Sequence, residues 1–302
     1  MARPKVYVTN GLGIGCHEEV AHAYDRAGAD AEIIHIKQLL SGEKRIFDAQ
    51  VINLAGGFLH GDILGAGMCA ANELEHAAVL SGDEEKKIKD LLIEFADKGV
   101  IYGQCNGFQL LVKTGLLPGV DNDYSRQTVT LTHNDCGNYR VDYVLHSVDQ
   151  DYVDQDNLCH FAFRGLEDSP FYLWCRHGEG KLMFHSGTGI AEKDKAEDIR
   201  WKVNRHYTLL RYVDKNSGRP TEEFPHNPNG SVDGIAGLVN FNGHIFGHMA
   251  HTEVGVYLSR DPRWFFIKDC LRRDGIKSSD IDEEMQQGVC LRIFQNIVDH
   301  FD

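Results

Sequence analysis

The sequence lacks the cysteine spacing of a zinc module: its eight cysteines, at 16, 69, 105, 136, 159, 175, 270 and 290, include no C-x-x-C pair. No repeated interval suggests a disulfide framework either, and several of these thiols sit in apolar runs, where they read as small hydrophobes. Net positive charge is also absent. With 45 Asp and Glu against 31 Lys and Arg, the formal charge is −14. Such a surface repels phosphate backbones and anionic membranes, which disfavours nucleic acid and bilayers as partners. No stretch reaches the roughly 18 apolar residues of a membrane span. The N-terminus, Met1-Ala2-Arg3-Pro4-Lys5, runs straight into an apolar strand-like segment without a signal-peptide core. A reducing cytoplasmic compartment is the expectation. Repeats, low-complexity tracts, a convincing linker and a P-loop are missing as well. The 302 residues, 42% hydrophobic and 25% charged, therefore read as one globular domain, 1–302.

What is present begins as strands alternating with helices. Residues 5–9, 31–36, 50–54 and 99–104 read as buried strands. Helical patterns cover 18–28, 83–97 and 106–115, and Asp62 is expected to N-cap a small-residue helix running toward Leu80. This alternation predicts a parallel sheet covered on both faces. Beyond residue 127 the pattern changes. Strand-like runs at 140–146, 158–163, 181–185 and 206–213 surround one helix near 191–203, which predicts a mixed or antiparallel extension. Residues 234–250 read as two short strands around the Asn242-Gly243 turn. Two amphipathic helices, near 262–273 and 281–300, close the chain and form a C-terminal helical extension at about 256–302.

The strongest chemical signal is Gly103-Gln104-Cys105-Asn106-Gly107, placed between a strand and a helix. A nucleophile on such a sharp turn needs small neighbours two residues away on each side, because backbone and helix approach closely there. A lone cysteine at a strand end is ordinarily structural, but the flanking glycines are hard to motivate on that reading. The positive end of the following helix favours negative charge on the sulfur. A catalytic thiol needs a base, and two H-x-E patterns offer one: His177-Gly178-Glu179 and His251-Thr252-Glu253. On extended backbone, residues i and i+2 share a side, so the glutamate can orient the imidazole in either pair. Spacing alone leaves both open. Gly56-Gly57, directly after a strand, and the amide of Asn106 can donate to an oxyanion. Gly11-Leu12-Gly13-Ile14-Gly15 departs from the dinucleotide fingerprint and reads as a structural or substrate-site turn. His244, His248 and His251 have loosely metal-like spacing without a completing carboxylate or cysteine, so no metal is expected.

In chain order, Gly56-Gly57-Phe58-Leu59-His60-Gly61-Asp62, Cys105-Asn106-Gly107-Phe108-Gln109, Leu116-Leu117-Pro118-Gly119, His177-Gly178-Glu179-Gly180, Asn227-Pro228-Asn229-Gly230-Ser231 and the segment 247–253 resemble the class I glutamine amidotransferases. More narrowly, they resemble the glutaminase branch that serves phosphoribosylformylglycinamidine synthase in purine biosynthesis. The resemblance covers about residues 5–255. It implies an α/β, flavodoxin-like three-layer sandwich with a mostly parallel central sheet and a mixed or antiparallel extension. It also implies a Cys105-His251-Glu253 triad, oxyanion donors at Gly57 and Asn106, and glutamine contacts at Gly56 and near Gln109. The implied substrate is L-glutamine. The implied partners are a synthetase subunit carrying ATP and Mg, with no cofactor on this chain, and a third small subunit. Thr252 stands where the family usually has proline, and Gly65 where an arginine is common. The competing readings are a stand-alone cysteine hydrolase or peptidase and a non-catalytic regulatory subunit.

Overall fold

The computed structural model describes residues 2–81, 84–149, 160–184, 190–285 and 287–301. The first half runs β1 (Lys5–Asn10), α1 (His17–Ala27), β2 (Asp30–His35), α2 (Ile36–Leu40), β3 (Val51–Leu54), α3 (Met68–His76), a hairpin of β4 (Ala78–Ser81) and β5 (Glu84–Lys87), α4 (Ile88–Phe95), β6 (Val100–Gln104) and α5 (Asn106–Lys113). The second half adds β7 (Val129–Thr132), β8 (Arg140–Val148), β9 (Phe171–His177), β10 (Lys181–Phe184), α6 (Ile190–Lys202), β11 (Thr208–Tyr212), β12 (Ile235–Val239), β13 (Ile245–His248) and β14 (Ala250–His251). Helices α7 (Trp264–Arg273), α8 (Ser278–Glu284) and α9 (Val289–Asp299) follow. Among the described residues no helix is long and apolar enough to cross a membrane.

Ten strands form one sheet in the order β14-β9-β8-β11-β12-β13-β6-β3-β1-β2. The block from β13 through β6, β3 and β1 to β2 is parallel, and every pairing from β13 to β14 is antiparallel. The pleat sends alternate residues to opposite cores. Tyr7 and Ile101 join the side covered by α3, α4 and α5, while Val6, Val8, Val100 and Tyr102 join the side covered by α1 and α9. Leu91, Leu92 and Phe95 on α4 are each buried, an arrangement that stabilises by about 1.5–3 kcal/mol per side chain. The tail is part of this core. Phe294 on α9 packs edge-on against Tyr24 of α1 at 4.9 Å between ring centroids, and Asn296 Nδ2 donates to the carbonyls of Ala162 (3.1 Å) and Arg164 (2.9 Å).

Several expected elements come out differently. Asp62 caps no helix: His60, Gly61 and Asp62 all have positive φ in a short turn, and α3 starts only at Met68, with Gly67 as its N-cap. The amphipathic pattern of 83–97 is helical only from Ile88, because Glu84–Lys87 pairs as β5 against β4, where Leu80 lies. Within 158–163, Phe161–Phe163 forms a single 3-10 turn rather than a strand, and residues 158 and 159 lie outside the described residues. Residue 185 also lies outside them. The helix expected over 281–300 is two, α8 and α9, separated near Gly288.

Candidate active site

Cys105 joins β6 to α5 with φ 50° and ψ −107°, a backbone region that non-glycine residues occupy only where surrounding structure imposes it. The imposition is visible in the two glycines. A Cβ on Gly107 would come within 2.0 Å of the Leu54 carbonyl oxygen, and one on Gly103 within 2.8 Å of Gly107. The turn is pinned by Cys105 N–H donating to the His248 carbonyl at 2.9 Å, so β13 fixes the height of Cys105 above the sheet. The thiol is buried, with Sγ 3.6 Å from the carbonyl oxygen of Arg176 on β9.

His251 and Glu253 come together at the other side of this turn. His251 sits on β14, paired with Trp174 of β9, and its Nδ1 lies 2.6 Å from Glu253 Oε1. Nδ1–H donates to the carboxylate, leaving Nε2 without a hydrogen-bond partner among the described residues. Burial alone would push the His251 imidazole down. The Glu253 carboxylate, with the Cys105 and Cys16 thiols, outweighs that and lifts it well above its ordinary value. The ring is therefore held to accept and keep a proton. Gly56 lies among these side chains. A Cβ there would be 3.0 Å from His251 Cε1, 3.3 Å from Cys105 Cβ and 3.5 Å from Cys16 Sγ. Gly56→Ala should displace the imidazole by a few tenths of an ångström. A fall on the order of tenfold to a hundredfold in kcat/KM for glutamine, with unchanged circular dichroism, is the expected result.

The other H-x-E pair separates. Glu179 Oε2 accepts from Ala66 N–H at 3.1 Å, while His177 Nδ1 donates to Asn134 Oδ1 at 3.2 Å. Burial, with the charge on His251 adding to it, lowers His177 to about 3, so it is a neutral structural ring. The Asn227–Ser231 loop clamps the same segment. Asn229 Nδ2 (2.8 Å) and Ser231 Oγ (3.2 Å) both donate to the Gly180 carbonyl. Spacing could not separate the two pairs, but these buried hydrogen bonds do.

Gly57, with φ 149°, is bridged to Ile14, and a Cβ would meet the Gly13 carbonyl oxygen at 2.6 Å. The glycine-rich turn after β1 thus shapes the segment expected to hold an oxyanion. Asn106 ties that segment to the elbow: its Oδ1 accepts from Leu59 N–H (3.1 Å) and its Nδ2 donates to Asp62 Oδ1 (3.1 Å) and Gln109 Oε1 (3.0 Å). Gln109 spends its other end on the Glu179 carbonyl, at 2.6 Å. Both ends of the Gln109 amide are therefore committed within the protein.

Two features escaped the sequence reading. Cys16, at the N-terminus of α1, places Sγ 3.6 Å from His251 Nδ1 across 235 residues of chain. Burial raises its thiol. Thr252 is buried between His251 and Glu253 in the chain, its hydroxyl bonded to Tyr102 Oη (2.8 Å) and to Gln104 Nε2. Thr252→Val leaves both groups short of a partner. A loss of about 1–3 kcal/mol is expected, read as a lower midpoint in chemical denaturation. His244, His248 and His251 do not converge: His244 Nδ1 faces the Ala96 carbonyl at 2.8 Å and His248 Nε2 the Tyr102 hydroxyl at 2.7 Å. A cavity of about 730 Å³ near Asp149, Arg211 and Asp233 includes none of the residues above.

The family of CobB/CobQ-like glutamine amidotransferase domains matches residues 3–301. That match extends through the tail, well past residue 255. The chain is 31% identical to the phosphoribosylformylglycinamidine synthase subunit PurQ of Methanococcus maripaludis, over 99% of this chain and 97% of the relative. It is 32% identical to the subunit of the same name from Dehalococcoides mccartyi, over 99% and 98%. Relatives of this length show that the tail is no addition peculiar to this chain. Among solved structures, a chain of the PurLQS structure from Thermotoga maritima superposes with a TM-score of 0.59 at 22% identity, over 99% of this chain and 100% of that one, a likeness of fold.

Proposed function

We propose a function from one premise: the chain belongs to the family of CobB/CobQ-like glutamine amidotransferase domains. It is the glutaminase component of phosphoribosylformylglycinamidine synthase in purine biosynthesis, and it works with the synthetase subunit of that enzyme. The observation that carries the chemistry is the buried His251–Glu253 pair at 2.6 Å, with Nε2 making no hydrogen bond among the described residues, and a strained cysteine elbow on the other side of Gly56. Cys105 Sγ attacks the side-chain amide carbonyl of glutamine, and its proton passes to His251. The tetrahedral oxygen takes hydrogen bonds from the backbone N–H groups of Gly57 and Asn106. His251 then gives the proton to the departing nitrogen, releasing ammonia and leaving a thioester on Cys105. Water, deprotonated by the same imidazole, hydrolyses the thioester to glutamate. Glu253 holds the ring in the tautomer that presents Nε2. Gly56 leaves room for the substrate amide, and Gln109 fixes Asn106 and the Glu179 carbonyl around it.

ATP and Mg belong to the synthetase in this reading, a third small subunit completes the assembly, and the compartment is the cytoplasm. The test is nitrogen transfer. With synthetase, ATP and glutamine labelled with 15N at the amide, the label should enter the amidine product at the same rate as glutamate forms. Label released only as free ammonia, with the synthetase present and active on added ammonia, would favour the stand-alone hydrolase.

A further inference from the structure

We propose that Cys16, His251 and Glu253 form an inhibitory site for a zinc-class divalent cation. Their ligand atoms all lie within 4.8 Å of one another. Catalysis as derived above uses His251 and Glu253 but has no use for Cys16, whose sulfur nonetheless faces Nδ1. A tetrahedral zinc with sulfur at about 2.3 Å and nitrogen at about 2.0–2.1 Å sets those two ligands about 3.5–3.6 Å apart. Cys16 Sγ and His251 Nδ1 are 3.6 Å apart.

The carboxylate supplies the independent observation. Glu253 is only 3% exposed, yet its Oε2 makes no hydrogen bond among the described residues. A buried acceptor without a partner is unfavourable, and a cation supplies the missing partner. The Nδ1···Oε1 distance of 2.6 Å is too short for both atoms to ligate one metal, so Oε2 turns inward as the third ligand. Thiolate, imidazole and carboxylate together select zinc over magnesium or calcium, which prefer all-oxygen shells.

Filling the site stops the triad by proton placement. The cation replaces the Cys16 thiol proton, which is released to solvent, and displaces the imidazole's single proton from Nδ1 to Nε2; bonds to sulfur, nitrogen and oxygen form without any change of oxidation state. The neutral imidazole then carries that proton on Nε2. That atom can no longer accept the proton of Cys105.

Binding itself does not depend on the glutaminase reading, but the inhibition does. Cobalt is the probe. The full chain carrying Cys105→Ser should bind one Co2+ with a near-ultraviolet thiolate band, and the Cys16→Ser/Cys105→Ser chain, equally folded by circular dichroism, should lose it. No band in the first, or an undiminished band in the second, overturns the site. In the complex with synthetase, Zn2+ should suppress glutamine-dependent synthesis while ammonia-dependent synthesis continues. Cys16→Ser should raise the half-inhibiting zinc concentration at least about tenfold, each protein referred to its own zinc-free rate. Equal sensitivity of the two proteins overturns the inhibitory role. If zinc-free glutamine-dependent synthesis is missing altogether, the glutaminase reading fails and the cobalt result still decides the site.

Discussion

Replacing Cys105 by serine should lower glutamine-dependent synthesis roughly 10⁴-fold or more while ammonia-dependent synthesis by the same complex changes less than about twofold. The contrast follows from where the two nitrogen sources enter. In the proposed mechanism glutamine passes through a thioester on Cys105, whereas ammonia added to solution bypasses it and meets only the synthetase. Serine keeps the shape of the elbow, because φ 50° is imposed by Leu54, Gly103 and Gly107 rather than by the sulfur. A folded variant that loses both activities equally would remove Cys105 from the role assigned to it. His251→Asn should cost about 10²–10⁴-fold. Combining it with Cys105→Ser should cost little more than the cysteine change alone, since the residues act as a unit.

The parallel half of the fold and the strained elbow at Cys105 were legible because their constraints are local. β1, β3 and β6 are buried on both faces, so they read as continuous apolar runs, and the elbow needs its glycines within two residues of Cys105. Pattern reading failed where a segment answers to distant partners. The Asp62 turn takes its shape from a triple of positive-φ residues and from Asn106, which no helical periodicity encodes. Glu84–Lys87 has the charges of a helix start but is spent on pairing with Ala78–Ser81. The strand β9 was missed although it alternates buried Phe171, Leu173, Cys175 and His177 with half-exposed neighbours. Its signal was present, and the loop-rich surroundings obscured it. Cys16 illustrates the same limit in the site. Its neighbours Gly15 and His17 describe a turn, and only the fold brings it to His251.

Acid should unfold this protein far more steeply than its acidic composition suggests, and the cause is a set of buried neutral histidines. Burial pushes His146 down to about 4 and His160, His177 and His248 down to about 3. Three of these rings hydrogen-bond a carbonyl oxygen: His146 that of Val144 (2.9 Å), His160 that of Gly243 (2.7 Å) and His177 the amide oxygen of Asn134 (3.2 Å). In the unfolded chain each titrates near 6.5. Between that value and about 4 the unfolded chain holds more protons than the native one, so stability rises with pH and is lost as pH falls through 6.5. Each ring contributes up to ~1.4 kcal/mol per pH unit, about 5 kcal/mol per unit for all four. His251 has the opposite sign: its raised value contributes stability that is fully present below about 6.5 and is lost only as pH rises through the native value, so it does not offset the acid loss. Denaturation midpoints measured at pH 7, 6 and 5 should therefore fall sharply. His160→Asn, whose amide can still donate toward Gly243, should flatten the slope by about a quarter. A midpoint that holds steady from pH 7 to 5 would mean that these rings are not neutral in the native protein.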